Sequence, residues 1–309
     1  MKRIKTISHA IFVMFILSLS ATCGQEDLDI LTPMEKVELE ALYSTIESFL
    51  GDSWNSSDLY PDPCGWTPIQ GVSCDLFDGF WYVTTLNIGP VHDNSLSCAQ
   101  DLEFRPHLFK LKHLKSLSFF NCFPSQDMFP GLIGNIPLCF GVLKNLQSLV
   151  ILKNSVTAEI PSSIGNVIKL KKLVLVGNYL TSRIPDVFDR LNELLIFDLC
   201  SNSLSGSLPL TLGSLTSALK LDVNNNHLMD LMNNRFIGCP TRLRFLGLSR
   251  NNLTGNLSLK LETLPYLNAL YLSGNNLIRQ SLASLKTFLE KWEGVLGIGT
   301  TQNFANKLD

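Results

Sequence analysis

The chain has 309 residues, with 25 Lys and Arg against 27 Asp and Glu, for a formal net charge of −2. So small a net charge excludes the strong uniform field that nucleic acid or an anionic membrane surface attracts. With 45% hydrophobic and 17% charged residues, the chain has too much apolar material to remain disordered.

Residues 1–24 read as a secretory signal peptide. Met1-Lys2-Arg3-Ile4-Lys5 is basic and the run from Ala10 to Leu17 is apolar; Ser18, Ser20, Ala21 and Gly24 are small, and Glu26-Asp27 is acidic. The apolar run is shorter than the roughly 20 residues of a membrane span. Ser20-Ala21-Thr22 makes a poor lipobox before Cys23. No later stretch is apolar enough to cross a bilayer, and Thr300 to Asp309 is polar. The mature chain is therefore expected to be secreted, without a membrane span or glycolipid tail of its own. Cysteines stand at 23, 64, 74, 98, 122, 139, 200 and 239. Loss of Cys23 leaves an odd number, so they cannot all pair within the chain.

Residues 25–82 are expected to form an N-terminal cap. Met34, Val37, Leu39, Leu42, Ile46, Phe49 and Leu50 recur at three- and four-residue steps and predict an amphipathic helix over 33–50. Pro33 suits its first turn. Residues 83–280 then repeat the pattern L-x-x-L-x-L-x-x-N. Its eight copies begin at Val83, Leu114, Leu146, Leu170, Leu194, Ala218, Leu243 and Leu267. The last five steps are 24, 24, 24, 25 and 24 residues. The ninth positions are Val91, Cys122, Asn154, Asn178, Asn202, Asn226, Asn251 and Asn275. A coil that turns sharply after a short strand leaves backbone groups inside the turn. A buried Asn carries donors and an acceptor in one amide, so a ladder of six can satisfy them. Cys122 is expected in the same slot as a weak donor. Residues 281–309 are expected to be a tail. Leu282, Leu285, Phe288, Leu289 and Trp292 predict one helix over 281–293, and Gly294 to Gly299 is expected to be flexible.

Each repeat continues as N-x-L-x-G-x-I-P-x-x-L-G, as in Asn178–Pro185 and Asn202–Pro209. A fixed period in register marks a repeat array, and here it resembles the plant-specific class of leucine-rich repeats. That resemblance implies an α/β solenoid: a right-handed superhelix with a parallel β-sheet on its concave face. It also implies an N-terminal helical cap closed by a Cys64–Cys74 disulfide. Among the remaining cysteines, proximity favours Cys98–Cys122. A narrower resemblance rests on Pro33-Met34-Glu35-Lys36, Ser53-Trp54-Asn55, Asp58 through Asp75, Leu108 through Leu117, Phe119 through Phe123, and Leu243 through Pro265. In these tracts the chain is similar to the Piriformospora indica-insensitive protein family of plants. This implies an extracellular, membrane-associated, receptor-like protein without a kinase, active in the response to fungal partners. Members look longer, with more repeats, and Met229 to Phe236 interrupts the pattern where extra coils would stand.

In a solenoid the strands line the concave side, and repeat positions 2, 3, 5, 7 and 8 face outward there. The notable residues are Lys115, Phe120, Lys153, Lys171, Lys172, Lys220, Arg244, Phe245, Arg250 and Tyr271, with Asp198 and Asp222 as the acids. Two expectations stand side by side. This cationic strip holds an anionic partner, an acidic peptide or a uronic-acid polymer, or its lysines pair loosely with the two aspartates. The partners expected are an extracellular protein, a peptide or an acidic glycan, with a co-receptor kinase and no nucleic acid. A second class of function is inhibition of a secreted cell-wall-degrading enzyme, a polygalacturonase-inhibitor-like role, since fold alone does not decide; a third reading is a truncated remnant. Asn55, Asn252 and Asn256 are sequons for glycosylation. No enzyme, cofactor or metal site is expected. The histidines at 9, 92, 107, 113 and 227 are scattered, no metal-binding spacing surrounds them, and there is no nucleophile elbow.

Overall fold

A computed structural model describes residues 34–51, 54, 56–89, 98, 104–122, 133–229, 241–255, 264–277 and 295–297. The expected signal peptide, Asn55, Asn256, Cys239 and the helix expected over 281–293 lie outside these residues.

The cap begins with α1 (Lys36–Leu50). Its buried face carries Glu38, Ala41, Leu42, Thr45, Ile46, Ser48, Phe49 and Leu50, a stripe of three- and four-residue steps. The expected face is corrected at two points. Val37 is 63% exposed, because each residue turns the helix by about 100° and Val37 falls off the stripe centred on Leu42 and Phe49. Met34 lies before the helix and bridges Trp81 in a parallel pairing. Gly51 ends α1 at φ +75° and donates its N–H to the Glu47 carbonyl, a conformation that suits glycine. A short turn of helix, α2 (Ser56–Leu59), follows. Trp54 stacks on Tyr60 at 5.9 Å, and Cys64 bonds Cys74.

The hairpin β1 (Val72–Phe77) and β2 (Phe80–Ile88) starts the main sheet. Eight more strands extend it: β3 (Ser116–Phe120), β5 (Ser148–Leu152), β7 (Lys172–Val174), β8 (Ile196–Asp198), β10 (Lys220–Asp222), β12 (Phe245–Gly247), β14 (Ala269–Tyr271) and β16 (Val295–Gly297). The order is β1-β2-β3-β5-β7-β8-β10-β12-β14-β16. Only β1–β2 is antiparallel; every other neighbour pairs parallel. Each coil leaves the sheet, turns, and returns one strand further on. The far side holds small second pairings: β4 (Ile133–Asn135) with β6 (Ser155–Thr157), β9 (Ser205–Gly206) with β11 (His227–Leu228), and β13 (Thr254–Gly255) with β15 (Asn276–Leu277). Short 3-10 turns such as Leu138–Val142, Ser162–Asn166 and Leu210–Ser214 close the coils. The chain is a leucine-rich-repeat solenoid.

The core follows the repeat. Leu170, Leu173, Leu194, Phe197, Leu199, Ala218, Leu221 and Val223 are all fully buried, so positions 1, 4 and 6 stack from coil to coil. Each large side chain so placed contributes about 1.5–3 kcal/mol. Aromatic rings join the cap to this core: Phe49 meets Phe119 at 4.7 Å, Phe119 meets Phe104 at 5.4 Å, and Phe104 meets Phe140 at 5.2 Å.

Two further expectations are corrected by the fold. Gly294 to Gly299 is not a loose tail throughout, because Val295–Gly297 is β16 and Leu296 pairs in register with Leu270. The sheet therefore runs beyond residue 280. A template anchored on Asn at position 9 misses this coil, where that position is Thr301. Cys122 is not a free thiol donor, since it bonds Cys98. Its backbone N–H donates to Asn154 Oδ1 at 3.3 Å instead.

Glu38 ties α1 to the first repeat. It is buried, and its Oε1 accepts the Val83 N–H at 3.1 Å. Burial pushes its pKa up from 4.5 to about 7, with the neighbouring Glu35 charge adding to the shift and the Val83 bond opposing it. Between those values the folded state holds a proton that the unfolded chain has lost. Stability is therefore full below about pH 4.5 and falls as pH rises toward 7. Glu38→Gln keeps the acceptor and removes the charge. It is expected to match wild type at pH 4.5 and exceed it by about 2 kcal/mol at pH 8. Urea midpoints at the two pH values check this; an unchanged difference contradicts it.

Candidate ligand-binding face

An amide spine runs along the turns that follow the strands of the outward face. Asn226 donates to the carbonyls of Leu199, Val223 and Asn224 at 3.0, 3.1 and 3.2 Å and accepts the Leu204 N–H at 3.0 Å. Asn202 and Asn251 repeat the pattern, donating to three carbonyls and accepting from Leu180 and Leu228. Asn275 does so at the far end, accepting from Leu253. Asn154 donates to Phe119 and Leu152 and accepts from Cys122. Asn178 donates to Ile151 and Val176, while its buried Oδ1 has no partner. The expected ladder is thus present at all six positions, five of them buried and Asn275 half-buried.

The residue before each ladder position turns the chain. Asn121, Lys153, Gly177, Ser201, Asn225, Arg250 and Gly274 all have positive φ, from 40° to 67°. That conformation suits Gly and Asn and strains other residues. The turn N–H groups of Lys153, Ser201 and Arg250 bond the carbonyls of Val176, Asn224 and Ser273 in the next coil, which offsets the strain. These turns set the long side chains of Lys153 and Arg250 at one edge of the sheet, and both are exposed.

Strand alternation puts positions 3 and 5 outward and position 4 inward. The pairing register aligns them in rows. Ser116, Ser148, Lys172, Ile196, Lys220, Phe245 and Ala269 form one row; Ser118, Val150, Val174, Asp198, Asp222, Gly247 and Tyr271 form the next. The expected site residues share this face, but their charges are unequal. Lys115 pairs with Asp75 at 2.6 Å and lies over the Phe77 ring at 5.2 Å. Lys171 meets Glu193 at 3.7 Å. Lys220 is clamped between Asp198 at 2.6 Å and Asp222 at 3.2 Å, 5.0 Å from the Phe245 ring centre. Phe245 in turn meets Tyr271 at 5.2 Å. Four cations, Lys153, Lys172, Arg244 and Arg250, make no ion pair among the described residues. Phe120 ends β3, half-buried. Asn252 is exposed, as a sequon requires.

The clamp is the most strongly perturbed part of the face. Burial raises the Asp222 pKa, and the Asp198 charge raises it further. Burial opposes the Lys220 charge, but the bond and charge of Asp198, with those of Asp222, outweigh it and raise its pKa. Gly247 makes room: a side chain there would meet the Asp222 carboxylate and the Asn224 amide. Cys200 sits beside the pair, and burial first, then both carboxylate charges, push its thiol to about 12. Such a thiol is protonated and a poor nucleophile at neutral pH. Asp198, Cys200 and Asp222 are also the one group among the described residues spaced to hold a metal ion. The Lys220 ammonium already lies between the carboxylates.

Sequence reasoning that searched for charges and rings passed over the apolar part of the face. Val150, Leu152, Val174 and Val176 occupy positions 5 and 7 of two neighbouring strands. Val150 is buried and the other three are half-buried. The signal was there as aliphatic residues at positions where most other coils carry Asp, Asn, Ser, Gly or Cys. No helix among the described residues is long and apolar enough to cross a membrane.

No protein-family model matches the chain. Over 168 residues, 46% of this chain, it is 50% identical to Piriformospora indica-insensitive protein 2 of Arabidopsis thaliana, covering 40% of that protein. Over 178 residues it is 30% identical to Receptor like protein 29 of the same plant, covering 50% of this chain and 37% of that one. The chain therefore spans less than half the length of these curated relatives. Among solved structures, it resembles the Arabidopsis receptor kinase HAESA in complex with the peptide hormone IDA and the co-receptor SERK1. The TM-score is 0.62 at 27% identity, over 82% of this chain and 40% of that one. Repeat period, amide spine and relatives agree: the chain is a leucine-rich-repeat protein of the plant type, similar over more than a third of its length to Piriformospora indica-insensitive protein 2.

Proposed function

We propose that the chain is an extracellular recognition protein that binds a ligand on its concave sheet and acts in the plant response to fungi. The observation that carries this is the in-register outward face, with Lys153, Lys172, Arg244 and Arg250 free of ion pairs among the described residues while the asparagine spine beside them is hydrogen-bonded at all six positions. Cations held on a rigid frame and left without partners favour an incoming ligand. The relative at 50% identity is named for insensitivity to Piriformospora indica. HAESA is a receptor kinase solved with a peptide hormone and a co-receptor, which supports an analogous co-receptor kinase partner here. The reading is non-catalytic: among the described residues of the face, the Cys200 thiol is held protonated and the Asp198 and Asp222 carboxylates are paired with Lys220.

The test is complementation. A root line lacking this protein is expected to regain its response to the fungus with wild type. It is expected to stay unresponsive with Lys153, Lys172, Arg244 and Arg250 all changed to Ala, at matched secreted protein levels. Equal rescue by both would remove the concave face from the function.

A further inference from the structure

We infer that the ligand is an extended peptide with an apolar centre flanked by carboxylates, seated on β5 and β7. The inference rests on the recognition role proposed above and names the chemistry of its ligand. Val150 and Val174 are register partners on adjacent strands, and Leu152 and Val176 stand two residues further along each chain. Together they make an apolar patch about 5 Å by 7 Å between residue centres, matched to one or two apolar side chains.

Charge surrounds the patch unevenly. Lys172 precedes it on β7 and Lys153 follows it on the turn after β5; neither has an ion pair among the described residues. Lys171 lies beyond Lys172 and is only loosely held by Glu193 at 3.7 Å. On the next strand Asp198 is register partner to Val174, and its carboxylate is already spent on Lys220. Toward the cap, Ser116 and Ser148 are small and half-buried, Ser118 is buried, and the backbone of both strands is already paired within the sheet. An occupant that fits carries apolar side chains over the valines and acidic groups toward Lys153 and Lys172, and it stops short of Asp198. A uronic-acid polymer offers the anions but nothing apolar to cover the half-buried Leu152, Val174 and Val176.

The probes are synthetic. One is a fluorescent amidated heptapeptide, Glu-Glu-Leu-Phe-Leu-Glu-Glu; a second has Lys in place of Glu; a third is Glu-Glu-Ser-Ser-Ser-Glu-Glu; the fourth is a decameric oligogalacturonide. Fluorescence anisotropy with the full disulfide-bonded chain is expected to show the first binding at least about tenfold tighter than the other three. Val174→Ser should weaken it about tenfold, as should Lys172→Ala, while Lys36→Ala, on the exposed side of the cap helix, leaves it unchanged. Circular dichroism confirms that each variant is folded, and Val174→Thr serves if Val174→Ser is not. Equal affinity for the apolar and Ser-containing peptides overturns the inference, as does absence of binding by the first peptide. Preference for the oligogalacturonide, lost in Lys172→Ala, would overturn the peptide class while leaving the concave recognition role standing.

Discussion

Replacing Asn226 with Ala is expected to lower stability by about 4 kcal/mol, roughly twice the loss from Asn178→Ala. Asn226 satisfies three carbonyls in two coils and accepts one N–H. Each buried group left without a partner costs about 1–3 kcal/mol, and entry of a water recovers part of that. Asn178 donates twice and its Oδ1 accepts nothing, so less is lost with it. Asn226→Asp is the sharper probe. A carboxylate keeps the bond from Leu204 but turns a second oxygen toward three carbonyls, so at neutral pH it should cost more than Ala. Urea unfolding measures the totals. Hydrogen exchange at Leu204 locates them, because coils lean only on their neighbours and a broken rung loosens the stack locally. Equal losses for Asn226→Ala and Asn178→Ala would mean that the acceptor half of each amide is idle.

The architecture was legible because one physical constraint repeats. Inward leucines and a turn amide must recur at the same position in each coil, and six in-register asparagines expose that period to simple alignment. The Cys64–Cys74 bond and the α1 helix were legible from resemblance and periodicity. The site was legible only in part. Which residues share the face follows from position numbers, since alternation fixes their direction. Which cations are free does not. Lys220 and Asp198 are 22 residues apart and meet only because β8 and β10 are neighbours; Lys115 meets Asp75 across the cap. Val37 and β16 show the other limit. A helical stripe is set by what packs against it, and a strand without the Asn signature forms because β14 offers it an edge.

Lys220→Met is expected to cost about 4 kcal/mol at pH 7.5, although Lys220 is a partly exposed cation on the proposed binding face. The reason lies in its partners. Asp198 and Asp222 have side chains only 10% and 7% exposed, and Lys220 is the cation within 4 Å of both. Removing one partner of a buried ion group leaves uncompensated charge, a loss of about 3–5 kcal/mol. The pH dependence identifies the cause. Burial and the Asp198 charge already raise the Asp222 pKa, and loss of the ammonium raises it further. In the variant the folded state therefore binds a proton that the unfolded chain releases, so the variant's stability rises as pH falls from 7.5 toward 4.5. The deficit against wild type should shrink over that range. Lys220→Met combined with Asp222→Asn should recover most of the loss at pH 7.5, since one carboxylate is gone and an amide fits beside Gly247. Thermal and urea midpoints of the three proteins at pH 4.5 and 7.5 decide the matter. A Lys220→Met variant as stable as wild type at pH 7.5 would mean that water already screens the two carboxylates. The clamp would then be a surface pair worth about 0–1 kcal/mol, and Lys220 would be free to meet a ligand after all.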